Sequence, residues 1–254
     1  MKGFNPYSHD GRHYLITGAA SGIGKATSIV LSRLGAKLIL ADINENGLEN
    51  TRHACDGENA ILPINLADLA SIKDKVLKMV DGFDKLHGFV HLAGKTYIAP
   101  LKSVSEEKCR EIFTINTHAA IELAKIFIHR NVYAGEKGSI VLVSSVYGLV
   151  GSAANVAYAM SKSALHGITK SLSIELAVKG IRVNCVAPGF VKTNMLDSAS
   201  DLFDSNHAET LKRLHPLGIG EPDDVAYSIA YLLSDAAKWV TGSILNIDGG
   251  FTAQ

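Results

Sequence analysis

The stretch Thr17-Gly18-Ala19-Ala20-Ser21-Gly22-Ile23-Gly24 joins an apolar run, residues 13–17, to an amphipathic segment, residues 23–34. An apolar run followed by glycines and a helical pattern predicts a strand, a tight turn and a helix whose free N–H groups can bind phosphate. The three glycines are spaced G-x-x-x-G-x-G rather than G-x-G-x-x-G. Glycine spacing alone is weak evidence, so an ordinary strand-to-helix turn stays open as the alternative.

Further apolar runs alternate with segments of helical periodicity along the chain. The predicted strands are 13–17, 37–41, 60–63, 87–92, 139–144, 182–187 and 243–247. The predicted helices are 23–34, 71–80, 106–131, 157–179 and one that opens at Glu221. The helix 106–131 is long enough that a kink within it stays open. Several of the runs are continuously apolar, which is typical of strands covered on both faces. The alternation predicts a single α/β domain over residues 1–254: a doubly wound, mostly parallel, seven-stranded, Rossmann-like sheet with helices on both faces.

Composition argues against several other classes of protein. The 254 residues carry 25 basic and 25 acidic side chains with no basic tract, so nothing favours binding to nucleic acid or a membrane surface. The polar first residues lack the apolar core of a signal peptide, and the uncharged stretch 138–161 is too interrupted for a membrane span. Three scattered cysteines and no clustered metal ligands favour a cytoplasmic protein without a catalytic metal.

Asp42 ends the second predicted strand, eighteen residues after Gly24. In a dinucleotide-binding fold, an acid at that place binds the adenosine ribose hydroxyls, and its charge repels a 2′-phosphate. Ser21 in the glycine-rich turn and Ile43 directly after Asp42 are uncharged, so neither position supplies a cation that would attract that phosphate. We therefore expect NAD(H) to be preferred over NADP(H), although Asp42 by itself is equally consistent with a solvated acid at a strand end.

Ser145, Tyr158 and Lys162 form the constellation that carries chemistry. Tyr158 and Lys162 are four residues apart and share a helix face, where the ammonium group is expected to lower the phenol pKa from about 10. Such a phenol can act as an acid–base group, while the Ser145 hydroxyl holds the substrate oxygen. A second Tyr-x-x-x-Lys, Tyr133 and Lys137, lies in a glycine-containing loop and lacks the preceding serine.

With these residues together, the chain resembles members of the short-chain dehydrogenase/reductase family, of the shorter, single-domain kind. The likeness covers residues 11–251. Its ordered motifs are the glycine-rich turn, Asp42, Ala93-Gly94, Asn116, Ser145, Tyr158, Lys162, Pro188-Gly189 with Thr193, and Asn246-Ile247-Asp248-Gly249-Gly250. So many motifs in order make a chance match implausible.

The resemblance implies a role for each matched residue. Tyr158 is the general acid/base, Lys162 binds the nicotinamide ribose and lowers the tyrosine pKa, and Ser145 orients the substrate oxygen. Asn116 supports a proton relay through water near Lys162. The implied cofactor-binding residues are Gly18, Ser21, Gly22, Ile23, Gly24, Asp42, Asn65, Leu66, Ala93, Gly94, Tyr158, Lys162, Pro188, Gly189, Val191 and Thr193.

The family's habit of association further implies a homo-oligomer, a tetramer or a dimer. An apolar stripe in the middle of the chain is either the face through which it associates or a piece of core. The stripe consists of Ala119, Ala120, Leu123, Ala124 and Phe127.

Two positions depart from the family's pattern. The family has Asn-Asn-Ala-Gly after the fourth strand, where this chain has His91-Leu92-Ala93-Gly94. Leu92 cannot form a side-chain hydrogen bond, and His91 is expected to replace the missing amides only in part, which weakens the bracing of the sheet rather than the chemistry. Asn65 stands where Asp is common, and its amide can still accept a hydrogen bond from an adenine amino group.

These residues predict an NAD(H)-dependent oxidoreductase that interconverts a small-molecule secondary alcohol and a ketone. The substrate is expected between residues 95–100, residues 146–151 and the long connection 190–214, a predicted lid. His215 is expected to pack rather than to face the substrate. Two alternatives remain: a non-catalytic nucleotide-binding regulatory or scaffold protein on the same fold, and a nucleotide-sugar epimerase or dehydratase, which usually has a larger C-terminal substrate domain.

Overall fold

A seven-stranded parallel sheet lies at the centre of the described chain. The computed structural model describes residues 5–193 and 213–253. The strands are β1 (His13–Thr17), β2 (Lys37–Asp42), β3 (Ala60–Pro63), β4 (Gly88–His91), β5 (Gly138–Val143), β6 (Ile181–Pro188) and β7 (Ile244–Ile247). Their order is β3-β2-β1-β4-β5-β6-β7, and every neighbouring pair is parallel. The predicted doubly wound sheet is confirmed, and each predicted strand end lies within one residue of the observed one.

Apolar side chains cover both faces of this sheet. In β1, Tyr14 and Ile16 pack into the core on one face, whereas Leu15 packs into the core on the other. Successive side chains of a strand point to opposite faces, so a continuously apolar run has both faces buried. This is why the runs could be assigned to strands between two helical layers.

Helices form those two layers. They are α1 (Gly22–Arg33), α2 (Glu45–Ala54), α3 (Leu69–Asp81), α4 (Glu106–Phe113), α5 (Ala119–Phe127), α6 (Val156–Glu175) and α7 (Pro222–Leu233). Core residues of α3, α5 and α6 pack on the face of Leu15, and those of α1, α2 and α7 pack on the face of Ile16. Within residues 5–193 and 213–253, no helix is both long and apolar enough to cross a membrane.

Two helical segments differ from the prediction. The sequence does not predict α2, because only Leu48 and Thr51 of its ten residues are buried and its apolar period is therefore weak. The predicted helix 106–131 is divided into α4 and α5 by a π-helical turn, Thr114–His118. Such turns interrupt α-helices most often at functional sites, and this one carries Asn116.

The apolar stripe on α5 belongs to the core. Its five residues, from Ala119 to Phe127, are at most 4% exposed. They pack against α3 and the sheet within the same chain, so the stripe is not a free face for association.

Parallel strands bring their carboxyl ends to one edge of the sheet, where the connecting loops meet. The long connection after β6 is anchored near this edge, because Gly220 N donates to Phe190 O at 3.0 Å and Lys192 N donates to Gly220 O at 2.9 Å. Residues 194–212 lie outside the described residues, so the lid at 190–214 stays a prediction.

Candidate active site

A cavity of about 770 Å³ opens at the carboxyl edge of the sheet, lined by the loops that follow β1 to β6. Nearly all of the predicted site residues line it. They are Gly18, Ser21, Gly22, Ile23, Gly24, Asp42, Asn65, Leu66, Ala93, Gly94, Ser145, Tyr158, Lys162, Pro188, Gly189, Val191 and Thr193. Asn116 does not line it.

The glycine-rich turn is closely packed backbone. Gly18 has φ +72°, and a Cβ there would lie 2.7 Å from Ala93 N. A Cβ on Gly24 would lie 2.0 Å from Gly18 O, so a side chain fits at neither position. Ser21 is the N-cap of α1 but forms no side-chain capping bond, which leaves N–H groups of the first turn free toward the cavity. Free N–H groups at a helix N-terminus suit a phosphate.

Asp42 is held at the end of β2 beside this turn. Its Oδ2 accepts from Ala20 N at 3.3 Å, and its Oδ1 accepts from Asn44 N at 3.0 Å. The carboxylate is therefore fixed at the cavity wall, where it can accept from ribose hydroxyls. Further along, Asn65 Oδ1 accepts from Ala67 N at 3.0 Å, which leaves one lone pair of this oxygen for a second donor.

Ser145 and Tyr158 face the cavity from two elements. Ser145 follows β5 as the N-cap of a short 3₁₀ turn, and its Oγ accepts from Tyr147 N at 3.2 Å. Tyr158 lies in the first turn of α6 and Lys162 lies one turn later. Lys162 is 5% exposed, and its ammonium group donates to Val143 O at 2.8 Å and lies 5.7 Å from the centroid of the Tyr158 ring.

Burial governs the titration of both groups. It raises the pKa of Tyr158 to about 12, while the Ser145 hydroxyl, which hydrogen-bonds the phenol, opposes that rise. Burial also lowers the pKa of Lys162 to about 8. The expectation that the lysine lowers the tyrosine pKa below 10 is therefore wrong for the chain by itself, because desolvation of the phenolate is the largest cause of the shift and the ammonium group is bonded to Val143 O.

Asn116 acts from behind the cavity wall. It is fully buried in the π-helical turn, where Oδ1 accepts from Lys95 N at 2.8 Å and Nδ2 donates to Lys95 O and Ser161 Oγ, both at 2.9 Å. A Cβ on Gly94 would lie 3.1 Å from Asn116 Oδ1 and 3.3 Å from Lys162 Nζ. Gly94 therefore keeps the space between the amide and the ammonium group open.

His91 corrects the expectation of weak bracing. Its Nε2 donates to Ile115 O at 3.1 Å, which leaves Nδ1 to accept from Thr17 Oγ1 at 3.0 Å. The ring is 1% exposed, and burial lowers its pKa to about 4, so the neutral form bridges β1, β4 and the π-helical turn. Thr17 Oγ1 also accepts from the backbone of Leu92 and Ala93. The His91 imidazole and the Thr17 hydroxyl therefore form the hydrogen bonds that brace the sheet, a role that was expected of the asparagine amides in the family's pattern.

The rest of the cavity is lined by residues of mixed character. The predicted walls contribute Lys95, Ile98 and Tyr147, whereas Glu111, Ser152 and Asn155 were not singled out from the sequence. Glu111 pairs with Lys95 and Lys108 at 2.8 Å each, and both cations hold its pKa near 2. In the sequence, only the position of Asn155 three residues before Tyr158 could have indicated that it lines the site. Asn194, Met195 and Leu196, also expected in this wall, lie outside the described residues.

Phe190 closes the cavity against an aromatic cluster. Its ring contacts Tyr147, His215 and Phe251 with centroids 5.4–6.1 Å apart. His215 is 1% exposed, and its Nε2 accepts from Phe190 N at 3.3 Å, so it packs behind the wall as expected. Among the residues described, no group of three His, Cys, Asp or Glu side chains is placed to hold a metal ion.

The family comparison covers almost the whole chain. The model of the enoyl-(acyl carrier protein) reductase family matches residues 18–252. The 3-oxoacyl-acyl-carrier-protein reductase FabG of Thermotoga maritima is 37% identical over 245 residues, which cover 95% of this chain and 98% of that protein. The 2,5-dichloro-2,5-cyclohexadiene-1,4-diol dehydrogenase of Sphingobium indicum is 38% identical over 245 residues, 96% of this chain and 98% of that protein.

Solved structures agree with these relatives. A 4-hydroxyisoleucine dehydrogenase complexed with NADH superposes with a TM-score of 0.87 at 30% identity and covers 96% of this chain and 99% of its own. A protein of Agrobacterium tumefaciens with bound NADP gives a TM-score of 0.89 at 30% identity, over 99% of this chain and 100% of its own. Fold, cavity and relatives agree: the chain belongs to the short-chain dehydrogenase/reductase family of NAD(P)-dependent oxidoreductases that act on CH–OH groups.

Proposed function

We propose that this oxidoreductase interconverts a secondary alcohol and a ketone with NAD(H), and that Tyr158 is its acid–base group. The observation that carries the proposal is the meeting of the Ser145 hydroxyl and the Tyr158 phenol in a cavity that is continuous with the glycine-rich turn. The chain thereby offers a phosphate-binding helix end and a proton-transfer pair in one cavity. A non-catalytic scaffold would need the first but not the second.

Ser145, Tyr158 and the bound nicotinamide have separate roles in the reaction. Ser145 donates a hydrogen bond to the substrate oxygen and orients it toward Tyr158. Bound nicotinamide supplies the hydride chemistry and, when oxidised, a positive charge. With a pKa of about 12 the phenol is protonated at neutral pH, which is the form that gives a proton to a ketone oxygen during reduction.

Oxidation of an alcohol requires the phenolate form of Tyr158. Two positive charges favour that form: the Lys162 ammonium group and the oxidised nicotinamide. Lys162 lies one helical turn from the phenol, and its own lowered pKa, about 8, lets it exchange a proton near neutral pH. Asn116 fixes the backbone of Lys95 and flanks the space at Gly94 through which a water can reach the ammonium group. Both are positioning residues for Tyr158.

The preference for NAD(H) over NADP(H) rests on Asp42. Its fixed carboxylate lines the cavity beside the turn, and the adjacent positions hold Ser21 and Ile43 rather than cations. A negative charge at that place opposes a 2′-phosphate. The related structures include one with NADH and one with NADP, so the charge at Asp42 is the argument that separates the two cofactors.

The proposal extends to the organisation and location of the protein. The chain forms one domain over residues 1–254 with a lid at 190–214, and it acts in the cytoplasm as a homotetramer or dimer. Large exposed side chains favour association: Ile174 is 77% exposed, Val178 is 89% exposed and Trp239 is 95% exposed. Light scattering with size-exclusion chromatography tests the oligomer, and a monomer at micromolar concentration would contradict it.

A screen of secondary alcohols with NAD⁺, and of ketones with NADH, tests the function through absorbance of NADH. We expect turnover with members of the panel and a lower KM for NAD⁺ than for NADP⁺. Binding of NADH without turnover across the panel would support the scaffold alternative instead.

A further inference from the structure

Asn155, a residue of the cavity wall, has an unsatisfied amide oxygen. It lies immediately before α6 and is 4% exposed. Its Oδ1 is buried and has no hydrogen-bond partner among the described residues, and as N-cap it forms no side-chain capping bond. Buried polar atoms in folded proteins are nearly always paired. An unpaired amide in a cavity wall therefore indicates a polar group of a ligand.

The backbone at Ala154, directly before Asn155, is strained and is held by a hydrogen bond. Ala154 has φ +58°, a left-handed conformation that alanine adopts only at a cost. Ala99 N donates to Ala154 O at 2.8 Å, which ties this segment to the loop that forms another wall of the cavity. Strained backbone persists where the surroundings impose it, and it concentrates at ligand sites. The strained backbone at Ala154 and its hydrogen bond to Ala99 therefore fix the position of Asn155.

Other hydroxyl-bearing side chains line the same part of the cavity. Tyr147 and Ser152 line it with Asn155, and the Ser152 hydroxyl lies close enough to the Tyr147 phenol to oppose the pKa rise caused by burial. Tyr147 is also near enough to Tyr158 to influence its titration. The polar lining of the cavity therefore extends beyond the Ser145 and Tyr158 pair that oxidation of a single hydroxyl requires.

We propose that the substrate is a polyhydroxylated alcohol, and that Asn155 binds a hydroxyl beside the one that is oxidised. A hydroxyl both donates and accepts, so it satisfies the amide in either orientation. The inference rests on the proposed function, because it places a second hydroxyl relative to the Tyr158 reaction. Asn155 is then a specificity-determining residue, and a substrate without the second hydroxyl leaves its amide unpaired.

The test compares matched alcohols with and without a neighbouring hydroxyl. The pairs are cyclohexane-1,2-diol with cyclohexanol and butane-2,3-diol with butan-2-ol, each diol as separate stereoisomers. For wild type we expect kcat/KM for the better diol isomer to exceed that of its partner by roughly 10- to 100-fold. In Asn155→Leu, which keeps the number and branching of the side-chain heavy atoms but has no amide, this ratio is expected to fall to within about threefold of one.

Asn184 provides the matched control, because it is a buried asparagine with a satisfied side chain. Its Nδ2 donates to Val240 O at 2.8 Å, and its Oδ1 accepts from Ser243 N at 3.2 Å. Asn184→Leu is expected to lower the Tm by roughly 5 °C or more and to keep the wild-type diol ratio. Asn155→Leu is expected to keep or raise the Tm, because it removes an unpaired group. Asn155→Ala serves as a second variant should leucine not fit.

Two results would overturn the inference: a wild-type ratio near one in every pair, or an undiminished ratio in folded Asn155→Leu and Asn155→Ala. Failure of the proposed function looks different, because no alcohol would then be oxidised. Calorimetric titration of the same pairs into the protein saturated with NADH separates the two, since it needs no turnover. Selective diol binding there would support the Asn155 site even if oxidation failed, and equal binding of diol and mono-alcohol would reject it.

Discussion

Gly24→Ala tests the glycine-rich turn as the cradle of the cofactor. The added Cβ would lie 2.0 Å from Gly18 O and 2.7 Å from Gly18 C. Both are backbone atoms, so no rotamer change relieves the contact. The start of α1 and the turn must separate by more than about 1 Å before the contact becomes ordinary. The free N–H groups of the first turn then move away from the phosphate position.

The magnitude follows from two opposing effects. Alanine is a better helix former than glycine by about 1 kcal/mol, whereas overpacking costs about 1–3 kcal/mol in stability. A hydrogen bond to a charged group contributes about 1.5–3 kcal/mol, so loss of even one N–H bond to the phosphates is expected to raise the Kd for NADH at least about tenfold. Gly167→Ala is the matched control, because Gly167 is exposed on α6 and a Cβ there meets nothing within 4 Å.

Calorimetry with NADH and thermal unfolding without it are measured on both variants. Gly167→Ala is expected to bind NADH as wild type does and to raise the Tm by about 2–4 °C. Gly24→Ala is expected to lose affinity and to have an unchanged or lower Tm. If Gly24→Ala bound NADH within about threefold of wild type, the turn would not be the cofactor site and the reasoning would be refuted.

Three further changes test other parts of the account. Asp42→Asn removes the charge and keeps one of the two backbone hydrogen bonds, because an amide has a single acceptor oxygen. The ratio of kcat/KM for NADP⁺ to that for NAD⁺ should then rise at least about tenfold in steady-state kinetics. His91 is buried with a pKa near 4 against 6.5 unfolded, so wild-type stability should fall as pH drops from 6.5 toward 4, by about 3 kcal/mol for this group. His91→Asn should flatten that slope in urea unfolding. Ala154→Gly should raise stability by about 0.5–1 kcal/mol in the same assay, because glycine accepts φ +58°.

Each change has a control. Asp81→Asn removes an exposed acid outside the cavity lining and should leave the cofactor ratio alone; an equal effect would remove the argument from Asp42. His53→Asn, on the exposed side of α2, should keep the wild-type pH slope, and a slope unchanged in His91→Asn would contradict a buried neutral imidazole. Ala134→Gly, at a negative φ, should destabilise, opposite in sign to Ala154→Gly.

Local patterns predicted the sheet well because its strands are continuously apolar and end in glycine or polar turns. Gly35, which directly follows the predicted helix 23–34, has φ +95°, which a residue with a side chain adopts rarely. Helix α2 escaped prediction because only Leu48 and Thr51 of its residues are buried. A kink in the predicted helix 106–131 was left open, but the place of the π-helical turn could not be predicted, because residues 106–131 carry no proline or glycine to mark an interruption.

Most residues that line the loop-edge cavity beside the glycine-rich turn could be named from the sequence, but their surroundings could not. The second Tyr-x-x-x-Lys was rightly set aside: Tyr133 donates to Lys179 O, Lys137 lies 3.7 Å from Asp235, and neither lines the cavity. The direction of the Tyr158 pKa depends on burial from several loops, which spacing on one helix does not contain. For the same reason the two bonds of His91 and the unpaired amide of Asn155 appear only once the strands and loops are assembled.

The central claim is that a proton passes through the Tyr158 phenol beside a bound nicotinamide. Tyr158→Phe removes one hydroxyl and keeps the ring, so its NADH Kd and its kcat/KM on an alcohol from the screen test the claim together. We expect the Kd to stay within about threefold of wild type and kcat/KM to fall at least about 1,000-fold. Turnover at the wild-type rate by a variant that binds NADH normally would contradict the claim.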